Sequence, residues 1–125
     1  ELDSGSTVFI VEDVTGRIIH YSCVGSNKIW KTEIKLYLNL PRKERYIYNC
    51  RTLPDHSRQG LFTSAIDTII RTYGPAYISC DETNRTSRRV IEKFSPDFLG
   101  KIQRLQILGF YRRCKNTTGL EFTVD

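Results

Sequence analysis

The most restrictive pattern in the chain lies between residues 46 and 75. Residues 46–53 (YIYNCRTL) make an apolar, aromatic-rich run that reads as a strand. Pro54 ends it, because proline has no N–H with which to continue a ladder. A short polar loop closes on Gly60, and apolar side chains then recur at 61, 62, 65, 66, 69, 70 and 73 before Gly74-Pro75. That is the 3.6-residue spacing of a helix with one buried face. A strand therefore passes through a glycine-bearing loop into an amphipathic helix, and the stripe of that helix needs a sheet to cover.

The remaining segments supply the sheet. Residues 7–11 are β-branched and aromatic, Asp13-Val14-Thr15-Gly16 has turn chemistry, and residues 17–24 run on as a second strand, so a hairpin is expected. Residues 29–40 alternate imperfectly, with Ile34, Leu36 and Leu38 on one side and Lys35, Tyr37 and Asn39 on the other, which predicts one further strand. Residues 76–80 form a short apolar run, and residues 87–93 a second short helix with Val90 and Ile91 inward. Two closing strands, 98–114 and 120–124, surround a turn at 115–119. The predicted order is β-β-β-β-α-β-α-β-β, a mixed α/β (α+β) domain spanning 1–125 as one unit.

With 125 residues, 39% hydrophobic and 26% charged, the chain is suited to a single core and unlike a disordered tail. Its apolar runs are too short for a membrane-spanning helix. Glu1 is no initiator, so a processed or partial chain is expected. The cysteines at 23, 50, 80 and 114 are evenly spread in or beside strand-like runs, as reduced cytoplasmic thiols are. The alternative is two disulfides in a secreted domain, with which the sequons Asn84-Arg85-Thr86 and Asn116-Thr117-Thr118 are compatible. No His, Cys, Asp or Glu grouping has metal-ligand spacing, and no metal is expected. The net charge of +5 permits a polyanionic partner without identifying one.

The stretch Leu53-Pro54-Asp55-His56-Ser57-Arg58-Gln59-Gly60-Leu61-Phe62 carries the chemistry. A loop ending in glycine at a helix start aims backbone N–H groups and the positive end of the helix dipole at one point, where a phosphate fits. Gly60 permits close approach, and Arg58 can add charge at the rim. The stretch lacks both the Lys-Ser/Thr of a P-loop and the three glycines of a dinucleotide fingerprint.

From about residue 7 to about residue 110 the sequence resembles the GNAT superfamily of acyl-CoA-dependent N-acyltransferases. That family's central motif is a strand ending in an apolar residue and proline, then Arg/Gln-x-x-Gly-x-Gly/Ala opening a helix, which binds the pyrophosphate of acetyl-CoA. Leu53-Pro54 and Ser57-Arg58-Gln59-Gly60-Leu61-Phe62 stand in those places. The central glycine is kept, while Ser57 replaces the leading Arg/Gln and Phe62 the closing small residue. A second signature, Asn-x-x-Ser/Ala followed by Glu-Lys, is matched by Asn84-Arg85-Thr86-Ser87 and Glu92-Lys93, about 27 residues further on.

The resemblance implies a twisted mixed sheet flanked by helices. It also implies transfer of an acetyl or other acyl group from acyl-CoA to an amine by direct attack. Leu53, Ser57, Arg58, Gln59, Gly60, Leu61 and Phe62 would hold the pyrophosphate end of the cofactor. Asn84 would hydrogen-bond the pantetheine side and Ser87 the neighbouring turn, unless the pair only caps the helix. A splay between the strands at 46–53 and 76–80 would make the pantetheine slot, and a backbone N–H from 49–53 would hold the oxyanion.

Three departures qualify the likeness. Ser95-Pro96 replaces the usual Gly-Phe. Ile91 stands where a tyrosine acid is often found. The family's first strand and leading helices, which form much of the acceptor pocket, do not fit into six residues.

The catalytic residues and the acceptor stay open. Glu33, His56, Asp81 and Glu82 are the candidates for the base, and Tyr46 and Tyr48 belong either to the core or to the acceptor pocket. Cys50 has no histidine at a fixed spacing, which disfavours a Cys-His nucleophile. Two rival functions remain, and the oligomeric state is not fixed by any of these readings. One rival is a GNAT-fold binding module without transfer activity. The other is nucleic-acid binding through Lys101, Arg104, Arg112, Arg113 and Lys115, with Phe110 and Tyr111 interleaved.

Overall fold

The computed structural model describes residues 6–41, 43–57, 60–107 and 111–124, the side chains at 103–107 and 111–114 excepted. The elements in chain order are β1 (Thr7–Glu12), β2 (Ile18–Gly25), β3 (Lys28–Lys31), β4 (Leu36–Asn39) and β5 (Tyr46–Thr52). A 3-10 turn at Pro54–His56 leads into α1 (Leu61–Tyr73), followed by β6 (Tyr77–Ile78), α2 (Arg85–Glu92), β7 (Ile102–Ile107), β8 (Tyr111–Asn116) and β9 (Glu121–Thr123). The domain is mixed α+β, as its sequence predicts.

The first sheet runs β1-β2-β5-β6, antiparallel except for the β5/β6 pair, which α1 connects in parallel. The β1–β2 hairpin forms because Asp13 organises its turn: the Asp13 carboxylate accepts from the amides of Thr15 and Arg17 and from the Thr15 hydroxyl. Gly16, at φ 86°, takes the left-handed position that a side chain would strain.

Two predicted strands each prove to be a pair. Residues 29–40 turn back on themselves at 32–35, where Lys35 has φ 53°, and β3 and β4 pair antiparallel with Ile29 opposite Leu38. The reversal puts Ile29, Leu36 and Leu38 inward from two strands rather than one. The strand expected at 98–114 likewise becomes two, β7 and β8, the second running on to Asn116 into the turn expected at 115–119, and they pair from Ile102↔Asn116 to Ile107↔Tyr111. In each case folding back satisfies backbone groups locally that one long strand would have left for distant partners. The result is three sheets, the second ordered β3-β4-β9 and the third β7-β8. The second helix begins at Arg85, two residues earlier than its apolar spacing suggests, because Asn84 caps it.

The first sheet is covered on both faces, and β5 carries the division. On one side Val24 and Ile47 pack with Ile66 and Ile69 of α1, joined by Phe62 and by Val90 and Phe94 of the α2 region. On the other, Cys23, Tyr46 and Tyr48 pack against Ile29, Leu38 and Leu40. Both helices therefore lie on one face, and the flanking layer opposite them is the second sheet rather than a helix. Tyr46 and Tyr48 are core residues, stacked at 6.2 Å between ring centroids. Among the described residues no helix is long and apolar enough to cross a membrane.

Ile69, 0% exposed, sits at the centre of the helix-to-sheet contact. Ile69→Ala is expected to cost about 2–5 kcal/mol through lost burial and the cavity left behind. Urea unfolding checks this, the midpoint falling with little change in slope.

Candidate functional site

Three local features converge near the end of β5. The first is a bulge. Cys23 pairs with Tyr48 and Tyr21 with Arg51, so Ser22 alone on β2 faces both Asn49 and Cys50 on β5. Asn49 absorbs the extra residue at φ 49°, a left-handed angle that asparagine tolerates better than most residues. The second is a divergence. β5 and β6 pair only at Tyr46↔Tyr77 and Ile47↔Ile78, and among the described residues no strand pairs with that side of β5 further on. The hydroxyl of Tyr46, at the paired end, hydrogen-bonds that of Ser79 just past β6.

The third is the entry to α1. Gly60 precedes the helix at φ 74°, ψ 15°, and no side chain caps the first turn, which also has no acid. Among the described residues an ideal Cβ on Gly60 would meet nothing within 4 Å, so glycine is used here for its backbone angle rather than for close approach. Leu53 donates its amide to the Ile19 carbonyl. With Ile18, Ile19, His20, Tyr21 and Arg51 it lines a cleft of about 360 Å3. The Ser57 hydroxyl donates to the Pro54 carbonyl and closes the 3-10 turn. Arg58 and Gln59 lie outside the described residues.

The structure brings Leu53, Ser57, Gly60, Leu61 and Phe62 to one end of α1. Asn84 and Ser87 stand apart from that group, at the start of α2: the Asn84 side chain accepts from the Ser87 amide at 3.1 Å, which is a helix cap.

The candidate bases are scattered. Glu33 pairs with Lys31 in the β3–β4 turn. The Asp81 carboxyl is held below its usual range by hydrogen bonds from Thr83, and that of Glu82 by Lys101. His56 occupies the 3-10 turn. Of the basic positions in the closing strands, the side chains of Arg104, Tyr111, Arg112 and Arg113 are not among those described, and Phe110 lies outside the described residues.

A polar cluster that the sequence reading passed over lies behind the bulge. His20 is 1% exposed and Ser22 0%. One ring nitrogen of His20 bonds Thr52 Oγ1 at 2.6 Å and the other Ser22 Oγ at 2.8 Å. The Cys50 thiol donates to the Tyr48 carbonyl at 3.8 Å, and the Phe62 ring lies tilted beside His20, 6.1 Å between ring centroids. The available signal was polar residues at 20 and 22 on one side of an otherwise apolar strand. Burial holds His20 below its ordinary value of 6.5. Burial likewise pushes the Cys50 thiol up to about 11, against a weaker opposing effect of the nearby Ser22 hydroxyl. Cys50, across the bulge from Ser22, and His20 are thus neutral groups, not a thiolate-imidazolium pair.

The chain is similar in fold to a solved bacterial protein. A crystal structure of a mutant of the BH1408 protein from Bacillus halodurans superposes with a TM-score of 0.62 over 84% of this chain and 68% of that one. At 14% identity the likeness is one of fold. No family model matches the chain, and no curated protein matches it in sequence.

A thiol raised to about 11 is a poor nucleophile at neutral pH. Iodoacetamide labelling read by peptide mapping is therefore expected to reach Cys50 more slowly than the exposed Cys80. Its rate should keep rising at the highest accessible pH without a plateau.

Proposed function

We propose that this domain is an N-acyltransferase of the GNAT type, transferring an acetyl or other acyl group from acyl-CoA to an amine. The observation that carries the reading is the geometry around α1. β5 leaves β6 after two paired residues, and the helix between them opens on a left-handed Gly60 with no side-chain cap. Such a helix start is suited to an anionic pyrophosphate, and the gap between the strands to an extended pantetheine arm. In this reading the pyrophosphate lies against the amides after Gly60, with Leu53, Ser57, Arg58, Gln59, Leu61 and Phe62 around it. Asn84 and Ser87 bound the other side of the arm.

The bulge suits the third requirement. With Asn49 in a left-handed conformation, the backbone at 49–50 leaves the regular ladder where the thioester carbonyl would lie. An N–H there can stabilise the oxyanion formed when the amine attacks. The amine gives its proton to a base, the tetrahedral intermediate collapses, and CoA departs as the thiolate. Cys50 takes no covalent part, since its thiol is protonated at neutral pH and no ionised base adjoins it.

Calorimetric titration with acetyl-CoA, beside a short single-stranded oligonucleotide at two salt concentrations, tests the reading. Saturable acetyl-CoA binding is expected. Salt-sensitive oligonucleotide binding with no response to CoA points instead to a nucleic-acid module. Gly60→Asp should abolish acetyl-CoA binding while the protein stays folded, because aspartate tolerates the left-handed angle but sets a carboxylate where the pyrophosphate must sit. With a panel of primary amines and a thiol-release readout, Cys50→Ala should retain turnover. Acylation of Cys50 seen by intact mass, together with a dead Cys50→Ala protein, sinks direct attack.

A further inference from the structure

His20 stands where three elements meet. Its ring lies on β2, bonds Thr52 at the end of β5, and is flanked by Phe62 in the first turn of α1. The neutral imidazole has one N–H and one lone pair, and its two partners are hydroxyls that can each donate or accept, so the neutral ring is fully satisfied. The imidazolium is not so placed. It would put a charge beside the positive end of the α1 dipole, in a position 1% exposed.

The titratable and charged groups on the surrounding elements do not offset that charge. They are the exposed Glu12 on β1, Asp13 and Arg17 at the β1–β2 turn, Tyr21 on β2, Cys50 and Arg51 on β5, and the exposed Asp55 with His56 in the 3-10 turn, while the first turn of α1 holds no acid. The Asp13 carboxylate already accepts from Thr15 and Arg17. Arg51, on the strand paired with β2, has the same sign as the imidazolium.

We infer that His20 is a proton-sensitive positioning residue: taking up a proton there releases the first turn of α1 from the sheet and with it the ordered entry at Gly60. The direction follows from linkage. Burial lowers the folded-state value below the ordinary 6.5, so the stabilisation is complete above that value and is lost as pH falls toward and through the folded value. Opening of the first turn, with Phe62 moving away from the ring, lets water reach the imidazolium. The consequence for acyl-CoA rests on the function proposed above; the local opening does not.

The test compares the wild type with His20→Gln, whose amide can both donate to and accept from the two hydroxyls and carries no charge. Amide hydrogen exchange at residues 64–66, whose N–H groups donate back to the carbonyls of Gly60 and the first turn of α1, corrected for the intrinsic rate, is measured at about pH 7.5 and about pH 5, on either side of the ordinary histidine value. Protection in the wild type is expected to fall by about tenfold or more at the lower pH, and in His20→Gln by less than about twofold. Protection kept by the wild type, or lost equally by both proteins, overturns the inference.

Should His20→Gln not fold, Thr52→Val keeps the imidazole and the strand and removes one acceptor for the imidazolium. The pH of loosening, and the midpoint of the His20 ring resonances followed by NMR, should then move lower. An unmoved midpoint is equally fatal. Acetyl-CoA affinity at the two pH values is a separate readout, expected to weaken at the lower pH in the wild type and to change much less in His20→Gln. No acetyl-CoA binding at either pH counts against the acyltransferase reading alone, since the exchange measurement needs no ligand.

Discussion

The helix layer and the second sheet are both hung on one strand buried from both sides. β5 sends Ile47 into the contact with α1 and Tyr46 and Tyr48 into the contact with the second sheet. A strand in that position cannot follow a simple inside-outside alternation, and an aromatic, apolar sequence such as YIYNC suits it. Because Ile47 anchors the helix layer and the two tyrosines anchor the β3–β4 layer, both layers are positioned by three consecutive residues. The placing of α1, and hence of Gly60, is an outcome of this packing.

The same strand then departs from regularity within two residues. After Tyr48 the bulge at Asn49 and Cys50 shifts the register against β2, and β6 has already stopped pairing. Backbone polar groups freed from a ladder must find another partner, so a bulge beside a diverging strand sits more readily at a functional surface than in a closed core. On the helix side of this irregularity lies the hydrogen-bonded series Ser22, His20 and Thr52, with Cys50 across the bulge from Ser22. All four groups are neutral, with the thiol raised and the imidazole depressed by burial. A polar chain of this kind is tolerable under a helix because each member has a partner; any charge introduced into it must be carried without a counterion.

The proposed acyl-CoA site makes one account of these features. A helix start that uses glycine for its angle, an opening between parallel strands and a bulged backbone at the same strand end are separate local irregularities. An extended thioester cofactor would use all three at once. The altered loop residues, Ser57 and Phe62, each do something else as well: Ser57 closes the 3-10 turn, and Phe62 joins the helix-side core and lies beside His20. The loop is thus tied to the core more firmly than a run of small residues would tie it.

What the sequence by itself determined was local. The 3.6-residue stripe after Gly60, the proline that ends β5, the Asp13 turn and the capping asparagine before α2 all act within a few residues, and each was legible for that reason. The division of 29–40 and of 98–114 into paired strands was not, because alternation along a run is the same whether the chain continues or turns back. Only the partners across the sheet decide it. The polar cluster was hidden for the same reason on a longer scale. His20 and Thr52 are 32 residues apart in sequence, and nothing in either segment specifies a register that a bulge shifts by one residue. Tertiary pairing set that register, and with it decided that the buried histidine faces two hydroxyls beneath the helix from which the candidate site begins.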